Sequence, residues 1–225
     1  MSSTYNIAID GPAGAGKSTI AKLVAAKLGF IYVDTGAMYR AMALYFLENG
    51  IQPEDEEKVS TTCGQIDISL RYQDGVQQVI LNGRDVSGKI RTEAVGNAAS
   101  VVSAYRSVRQ ALLALQQNLA KTSNVIMDGR DIGTCVLPHA QTKIYLTASS
   151  HVRAIRRYKE LTEKGQMCNL EEIEQDIIDR DYRDMHREIA PLTQAADAVL
   201  LDSSEMTIDQ VVDGIIGAAR ERGLA

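Results

Sequence analysis

Eight residues near the start of the chain, Gly11, Pro12, Ala13, Gly14, Ala15, Gly16, Lys17 and Ser18, carry the spacing G-x-x-x-x-G-K-S. Glycines at 11, 14 and 16 let the backbone turn tightly and approach a ligand, so that successive N–H groups converge on phosphate oxygens. Lys17 offers a cation to the β- and γ-phosphates of a nucleoside triphosphate, and Ser18 offers a hydroxyl to Mg²⁺. Thr19 follows, and a helix starting here adds the positive end of its dipole. The alternative is a glycine-rich strand-to-helix turn with a lysine there by chance, and every fixed position filled in the required setting weighs against it. Here an apolar run at 5–10 precedes the loop, and Ile20, Leu23, Val24 and Leu28 follow at helical spacing with Gly29 as terminator. The motif predicts phosphoryl transfer from a triphosphate but leaves the acceptor open, because kinases, GTPases, motors and transporter subunits share it.

Arginines form the second chemical feature. They supply fifteen of the 24 basic residues, and guanidinium suits planar phosphate recognition better than an ammonium does. Arg153, Arg156 and Arg157 fall at i, i+3 and i+4, so a helix would aim three charges from one face and close over a triphosphate. A solvated helix pairing them with Glu160 and Glu163 is the alternative. Arg180, Asp184 and Arg187 share another face, with Arg180 and Asp184 spaced for an intrahelical salt bridge or for joint contact with a ribose and phosphate. Asp128-Gly129-Arg130-Asp131 follows an apolar run at 124–127, where open α/β sheets bind ligands, and Asp128 there would serve Mg²⁺ through a water. Arg40 and Arg109 stand at comparable places.

Composition narrows the classes. A net charge of -5 and a pI near 5.3 argue against a surface that tracks nucleic acid or anionic membrane, so any anion site is local. Cys63, Cys135 and Cys168 are far apart and show no metal-ligand spacing, which fits a reducing cytoplasm. His139, His151 and His186 show none either. The opening MSSTYNIAID has no basic segment ahead of a long apolar one, and no uncharged run approaches the ~18 residues of a membrane span. A soluble cytoplasmic protein is expected, and since nothing demands a dimer, a monomer.

The elements that must position these groups alternate. Apolar runs at 5–10, 30–34, 124–127, 142–147 and 198–201 read as strands. Between them lie helical patterns: Met38, Met42, Tyr45 and Phe46; then Val108, Leu112, Leu115 and Leu119; then charged stretches at 149–165 and 170–188. A last helix opens with Thr207 and Gln210 in capping-box spacing and buries Ile208, Val211, Val212, Ile215 and Ile216. The pattern predicts an α/β fold with a parallel sheet flanked by helices. It is interrupted where Ile66, Ile68, Leu70 and Tyr72 alternate in period two, with hairpin signals at Asp74-Gly75 and Asn82-Gly83. The expected division is a core of 1–52 and 102–225 with a small antiparallel lobe, 53–101, inserted.

The segments GPAGAGKST, DTGAMYRA, NGRDVSGKIRT, NAAS, MDGRDIGT and RDYRDMHREIAPL together resemble the bacterial cytidylate kinases over nearly the whole chain. The resemblance implies a P-loop NTPase fold in which the insert is the nucleoside-monophosphate lobe and a helical lid spans about 150–168. ATP with Mg²⁺ would phosphorylate CMP and dCMP, in pyrimidine nucleotide metabolism. By the same resemblance Thr35, Arg40, Arg130 and Arg187 hold the acceptor phosphate, Arg180 and Asp184 contact its sugar, and Ser100, Arg109 and Asp131 meet the base. Arg153, Arg156 and Arg157 are its lid arginines, with Arg153 and Arg157 joining Lys17, Arg130 and Arg187 in catalysis. Cytosine chemistry agrees, since its N4 amino group donates beside the N3 and O2 acceptors, and Asp131 accepts where Arg109 donates. Threonine stands at 35 where some relatives carry serine, and either hydroxyl bonds phosphate. In-line transfer would rest on positioning and charge neutralisation, with no protein nucleophile. A nucleotide-switched binding module, or a kinase of a smaller acceptor such as shikimate, is the competing reading. The latter leaves the insert and the arginine–carboxylate sets without a role.

Overall fold

The structure, a computed structural model, describes residues 4–224. Residues 1–3, which belong to the opening segment read above as leaderless, and Ala225, the end of the expected core, lie outside the described residues. The chain begins with β1 (Asn6–Asp10), α1 (Lys17–Leu28), β2 (Ile31–Asp34) and α2 (Thr35–Glu48). There follow α3 (Glu56–Cys63), the strands β3 (Ile68–Gln73), β4 (Val76–Leu81) and β5 (Arg84–Asp85), then α4 (Glu93–Val102) and α5 (Arg106–Thr122). The remainder is β6 (Val125–Gly129), a π-helical turn (Ile132–Val136), β7 (Thr142–Thr147), α6 (Ser150–Glu163), α7 (Leu170–His186), β8 (Val199–Asp202) and α8 (Ile208–Glu221).

The five expected strands pair in parallel in the order β2-β6-β1-β7-β8. Period-two alternation sends Ile7, Ile9, Ile126, Ile144 and Leu146 to one face, where α1 and α8 bury Val24 and Ile215 against them. Ala8, Val33, Val125 and Met127 face the other way and pack with Met38, Met42 and Phe46 of α2 and with α4 and α5. The register sets both Ile9 and Asp34 beside Asp128, and Asp10 beside Gly129, so β1, β2 and β6 stop within one residue of one another at the carboxyl edge.

Caps fix where the helices begin. Asp34 accepts a hydrogen bond from the Ala37 N–H, and Thr207 forms a capping box with Gln210. Two apolar assignments differ from the sequence reading. Leu23 is 40% exposed because it lies off the stripe that Ile20, Ala21, Val24 and Ala25 bury, and Ile208 is 54% exposed because, as the first residue of α8, it stands at the edge of an open cavity.

The stretch 53–101, expected as an inserted lobe, carries a three-stranded antiparallel sheet in the order β3-β4-β5. Both expected turns form, each with two successive left-handed residues, Asp74 and Gly75 (φ 51° and 75°) and Asn82 and Gly83 (φ 48° and 77°). The helices α3 and α4 were not foreseen within it. α3 buries only Val59 and Cys63, one apolar pair four residues apart, which is too short a period to register as a helical face. The sheet also covers the open edge of β2. The Gln77 side-chain oxygen accepts from the Asp34 N–H at 2.9 Å, its amide donates to the Asp34 carbonyl at 3.2 Å, and the Tyr72 hydroxyl donates to the Tyr32 carbonyl.

The turn after β1 leaves no room at its first residue. A Cβ on Gly11 (φ 149°) would lie 1.9 Å from the Leu146 carbonyl oxygen, whereas one on Gly16 (φ 85°) would meet nothing within 4 Å. Gly11→Ala is therefore expected to cost about 3 kcal/mol or more through the clash. Gly16→Ala should lose only the roughly 1–2 kcal/mol of a left-handed alanine. Urea unfolding without nucleotide measures both, and equal losses would contradict the packing at Gly11.

Candidate active site

The loop from Gly11 to Gly16 hands the chain to α1 with Gly16 as a left-handed cap, leaving the first N–H groups of the helix without side-chain partners. Lys17, the first helical residue, is buried and donates to the Pro12 carbonyl at 2.7 Å. Burial, then the charge of Arg130, pulls its ammonium down to about 7, against an ordinary 10.5. Ser18 donates to Asp128 Oδ2 at 2.8 Å, and Tyr32 donates its hydroxyl to Asp128 Oδ1 at 2.9 Å. Burial, then Asp34, raises the Asp128 carboxyl above the usual range.

This loop forms one wall of a cavity of about 770 Å³. Ala13 to Ile20 line it with Asp128, Gly129, Arg130, Arg153, Arg156 and Arg157, and Met206, Ile208 and Val211 give it an apolar end. A second cavity of about 110 Å³ adjoins it, the two sharing Gly36, Arg40, Gly129, Arg130 and Arg180 as a common wall. The smaller one brings together all nine residues expected around the acceptor: Thr35, Arg40, Ser100, Arg109, Arg130, Asp131, Arg180, Asp184 and Arg187.

Charge in the second cavity is densely paired. Asp131 takes Arg109 on one oxygen and Arg187, at 3.4 Å, on the other, and the Arg109 guanidinium lies 5.6 Å from the centre of the Tyr39 ring. Arg130 Nε donates to Asp184 at 2.8 Å. Burial alone would raise Asp184, but Arg130, Arg180 and Arg187 together hold the carboxyl below the usual range. Arg180 and Arg187 are held below the ordinary arginine value, first by burial and then by neighbouring arginines, Arg130 and Arg109 respectively. The buried Nε of Arg40 and that of Arg180 have no hydrogen-bond partner among the described residues. Buried donors in that condition call for an acceptor from outside the chain, which phosphate oxygens fit.

Several expected roles change on inspection. Gly11 and Pro12 shape the loop but do not line the cavity, Gly11 lying against Leu146 and Pro12 receiving Lys17. The three arginines of α6 do not act as one free face. Arg153 is buried, donating to Ala13 O, Ala148 O and Asp181 Oδ2, and Arg156 donates to Ser203. Arg157 pairs with Glu160 on the exposed side, as a solvated helix would have it. The Arg180–Asp184 intrahelical bridge does not form, because Arg130 reaches Asp184 from the neighbouring strand end. Thr35 already donates its hydroxyl to the Asp128 carbonyl at 2.7 Å and must release it to serve a phosphate. Sequence reasoning passed over Asp34, which caps α2 and takes Arg40 at 2.9 Å; an aspartate one residue before a helix was the available signal. It also missed Asp181 under Arg153, which no local pattern announces.

Ser18 and Asp128 form a hard-oxygen pair at the mouth of the loop, and among the described residues no group of three or more His, Cys, Asp or Glu could enclose a metal. That fits Mg²⁺, which keeps several waters and takes most of its remaining ligands from phosphates. Among the described residues, too, no helix is long and apolar enough to cross a membrane.

Comparison with known proteins agrees with this geometry. A model of the cytidylate kinase family matches residues 7–221. The cytidylate kinase of Leuconostoc mesenteroides is 51% identical over 92% of this chain and 93% of its own, and that of Ligilactobacillus salivarius 49% identical over 99% of each. A solved structure of an uncharacterized protein from Eubacterium ventriosum superposes with a TM-score of 0.53 at 10% identity, covering 96% of this chain and 99% of its own, which speaks to the fold alone. With half its residues identical to such relatives along almost its full length, the chain belongs to the cytidylate kinase family and is a nucleoside monophosphate kinase.

Proposed function

We propose that the chain moves the γ-phosphoryl group of ATP onto the phosphate of CMP or dCMP, releasing ADP and CDP or dCDP, with the larger cavity holding the donor and the smaller the acceptor. The carrying observation is the shared wall: Arg40, Arg130 and Arg180 border both spaces, where a phosphate entering from each side would meet. The loop N–H groups and Lys17 hold the donor phosphates, and the apolar end at Met206 and Val211 takes the donor base. Mg²⁺, held through Ser18 and by a water on Asp128, would neutralise charge on the donor phosphates.

On the acceptor side Arg40, Arg130 and Arg187 take the phosphate, Arg180 and Asp184 the sugar, and Ser100, Arg109 and Asp131 the base. Asp131 accepts from the N4 amino group that distinguishes cytosine from uracil. In-line alignment and the arginine field lower the barrier. Residues 53–101 serve as the acceptor lobe and about 150–168 as the lid, whose closure excludes water, the competing acceptor. We read the chain as a monomer, and as cytoplasmic because its three cysteines are free.

A panel of nucleoside monophosphates with ATP and Mg²⁺ tests the assignment. CMP and dCMP should be turned over best, and faster use of AMP or GMP would overturn it. Asp131→Asn should raise KM for CMP about tenfold or more while KM for ATP stays within about twofold, as loss of one partner of a charged hydrogen bond implies. Equal losses for both would refer the effect to folding.

The depressed Lys17 gives a pH signature. With an ammonium titrating near 7 in the free protein, Lys17 is largely neutral at pH 8.5, and a bound triphosphate restores its proton. Calorimetric titration of ATP at that pH in buffers of different ionisation heat should show proton uptake approaching one per site. The uptake should vanish in Lys17→Met. Proton release, or uptake unchanged in that variant, would contradict it.

A further inference from the structure

Asp10 ends β1 one residue before the phosphate loop, is 4% exposed, and has no part in the chemistry above. Both its oxygens are nonetheless committed. Oδ1 accepts from the Ile132 N–H at 2.8 Å and Oδ2 from the Gly133 N–H at 2.7 Å. These are the first two donors of the π-helical turn, which have no partner within it. The turn closes on the residue before it, since the Asp131 carbonyl accepts from Cys135 and Val136. Asp10 also lies opposite Gly129 in the β1–β6 register. Its backbone and its carboxylate thus bracket Arg130 and Asp131 from the two sides.

The contact is close enough to constrain composition. A Cβ on Gly133 would come within 3.4 Å of Asp10 Oδ2 and 3.2 Å of the Lys143 chain. Burial raises the Asp10 carboxyl to about 6 despite both backbone hydrogen bonds, so an ionised group is kept here against a desolvation cost.

We propose that Asp10 is a positioning residue for acceptor recognition: it locks the turn bearing Arg130 and Asp131 at a fixed place relative to the loop that starts at Gly11, and so sets how accurately Asp131 meets the acceptor base. The inference rests on the reading of the smaller cavity as the CMP site. An amide at this position keeps the shape but turns an NH₂ group against one of the two N–H donors, so the turn shifts.

Asp10→Asn in the full chain is the test. It should lower kcat/KM for CMP roughly tenfold and the CMP-to-UMP ratio of kcat/KM about fivefold, with KM for ATP within about twofold, in the range of a lost charged hydrogen bond. Added to Asp131→Asn, it should cost less than about a further twofold, because the group it positions is already gone. Equal losses for CMP and UMP, a matching rise in KM for ATP, or full additivity with Asp131→Asn would show a merely structural strut and overturn the proposal. Should the variant not fold, amide exchange in the wild type decides: slow exchange at Ile132 and Gly133 with and without CMP supports the lock, and exchange at the rate of an open turn overturns it. A wild type that does not prefer CMP over UMP refutes the base-site reading itself, and with it this role.

Discussion

Three parallel strands stop within one residue of one another, and each carries a buried aspartate at its end or one residue before it: Asp10 closing β1, Asp34 closing β2 and Asp128 next to the last residue of β6, none more than 6% exposed. A carboxylate withdrawn from water persists only where hydrogen bonds or opposite charge replace the solvent. Each here meets that demand by holding a different piece of the site. Asp128 takes Ser18 and so ties α1 to the sheet edge. Asp34 caps α2 and holds Arg40. Asp10 takes the turn that follows Arg130 and Asp131. The loop with α1, Arg40 and the turn after Asp131 are located by one electrostatic requirement.

The arginines express the opposite demand. Protein carboxylates account for Arg109, Arg130 and Arg153. Arg40 and Arg180 retain buried nitrogens without partners among the described residues, and Arg180 and Arg187 feel the repulsion of neighbouring arginines. Buried positive charge in excess of its carboxylates is what the phosphates of the proposed reaction would relieve. Lys17, depressed beside Arg130, belongs to the same imbalance.

How much of this was readable from the chain depended on how local the cause was. The loop, the five strands, both left-handed turns and the capping box follow from neighbouring residues, and all appear where the spacing put them. The nine residues expected around an acceptor line one cavity, a grouping that came from the resemblance, which carries long-range information that periodicity lacks. Partner choice was not legible. Arg180 and Asp184 sit at ideal helical spacing, yet Asp184 goes to Arg130, and Arg153 turns inward to Ala13 and Asp181 rather than outward with Arg157. Those outcomes are decided by tertiary approach, which outweighs the few tenths of a kcal/mol of an i,i+4 pair. Likewise α3, with a single buried pair, offers too little pattern to distinguish it from a loop.

The proposed reaction requires the two cavities to hold two nucleotides at once, with their phosphates meeting at the shared arginine wall. A single molecule joining adenosine and cytidine through a chain of phosphates tests it most directly. Calorimetric titration should find one such molecule bound per chain, displacing both ATP and CMP, with an affinity well beyond that of either alone, as linked binding requires. Displacement of only one nucleotide, or an affinity no better than that of ATP, would contradict a two-nucleotide site.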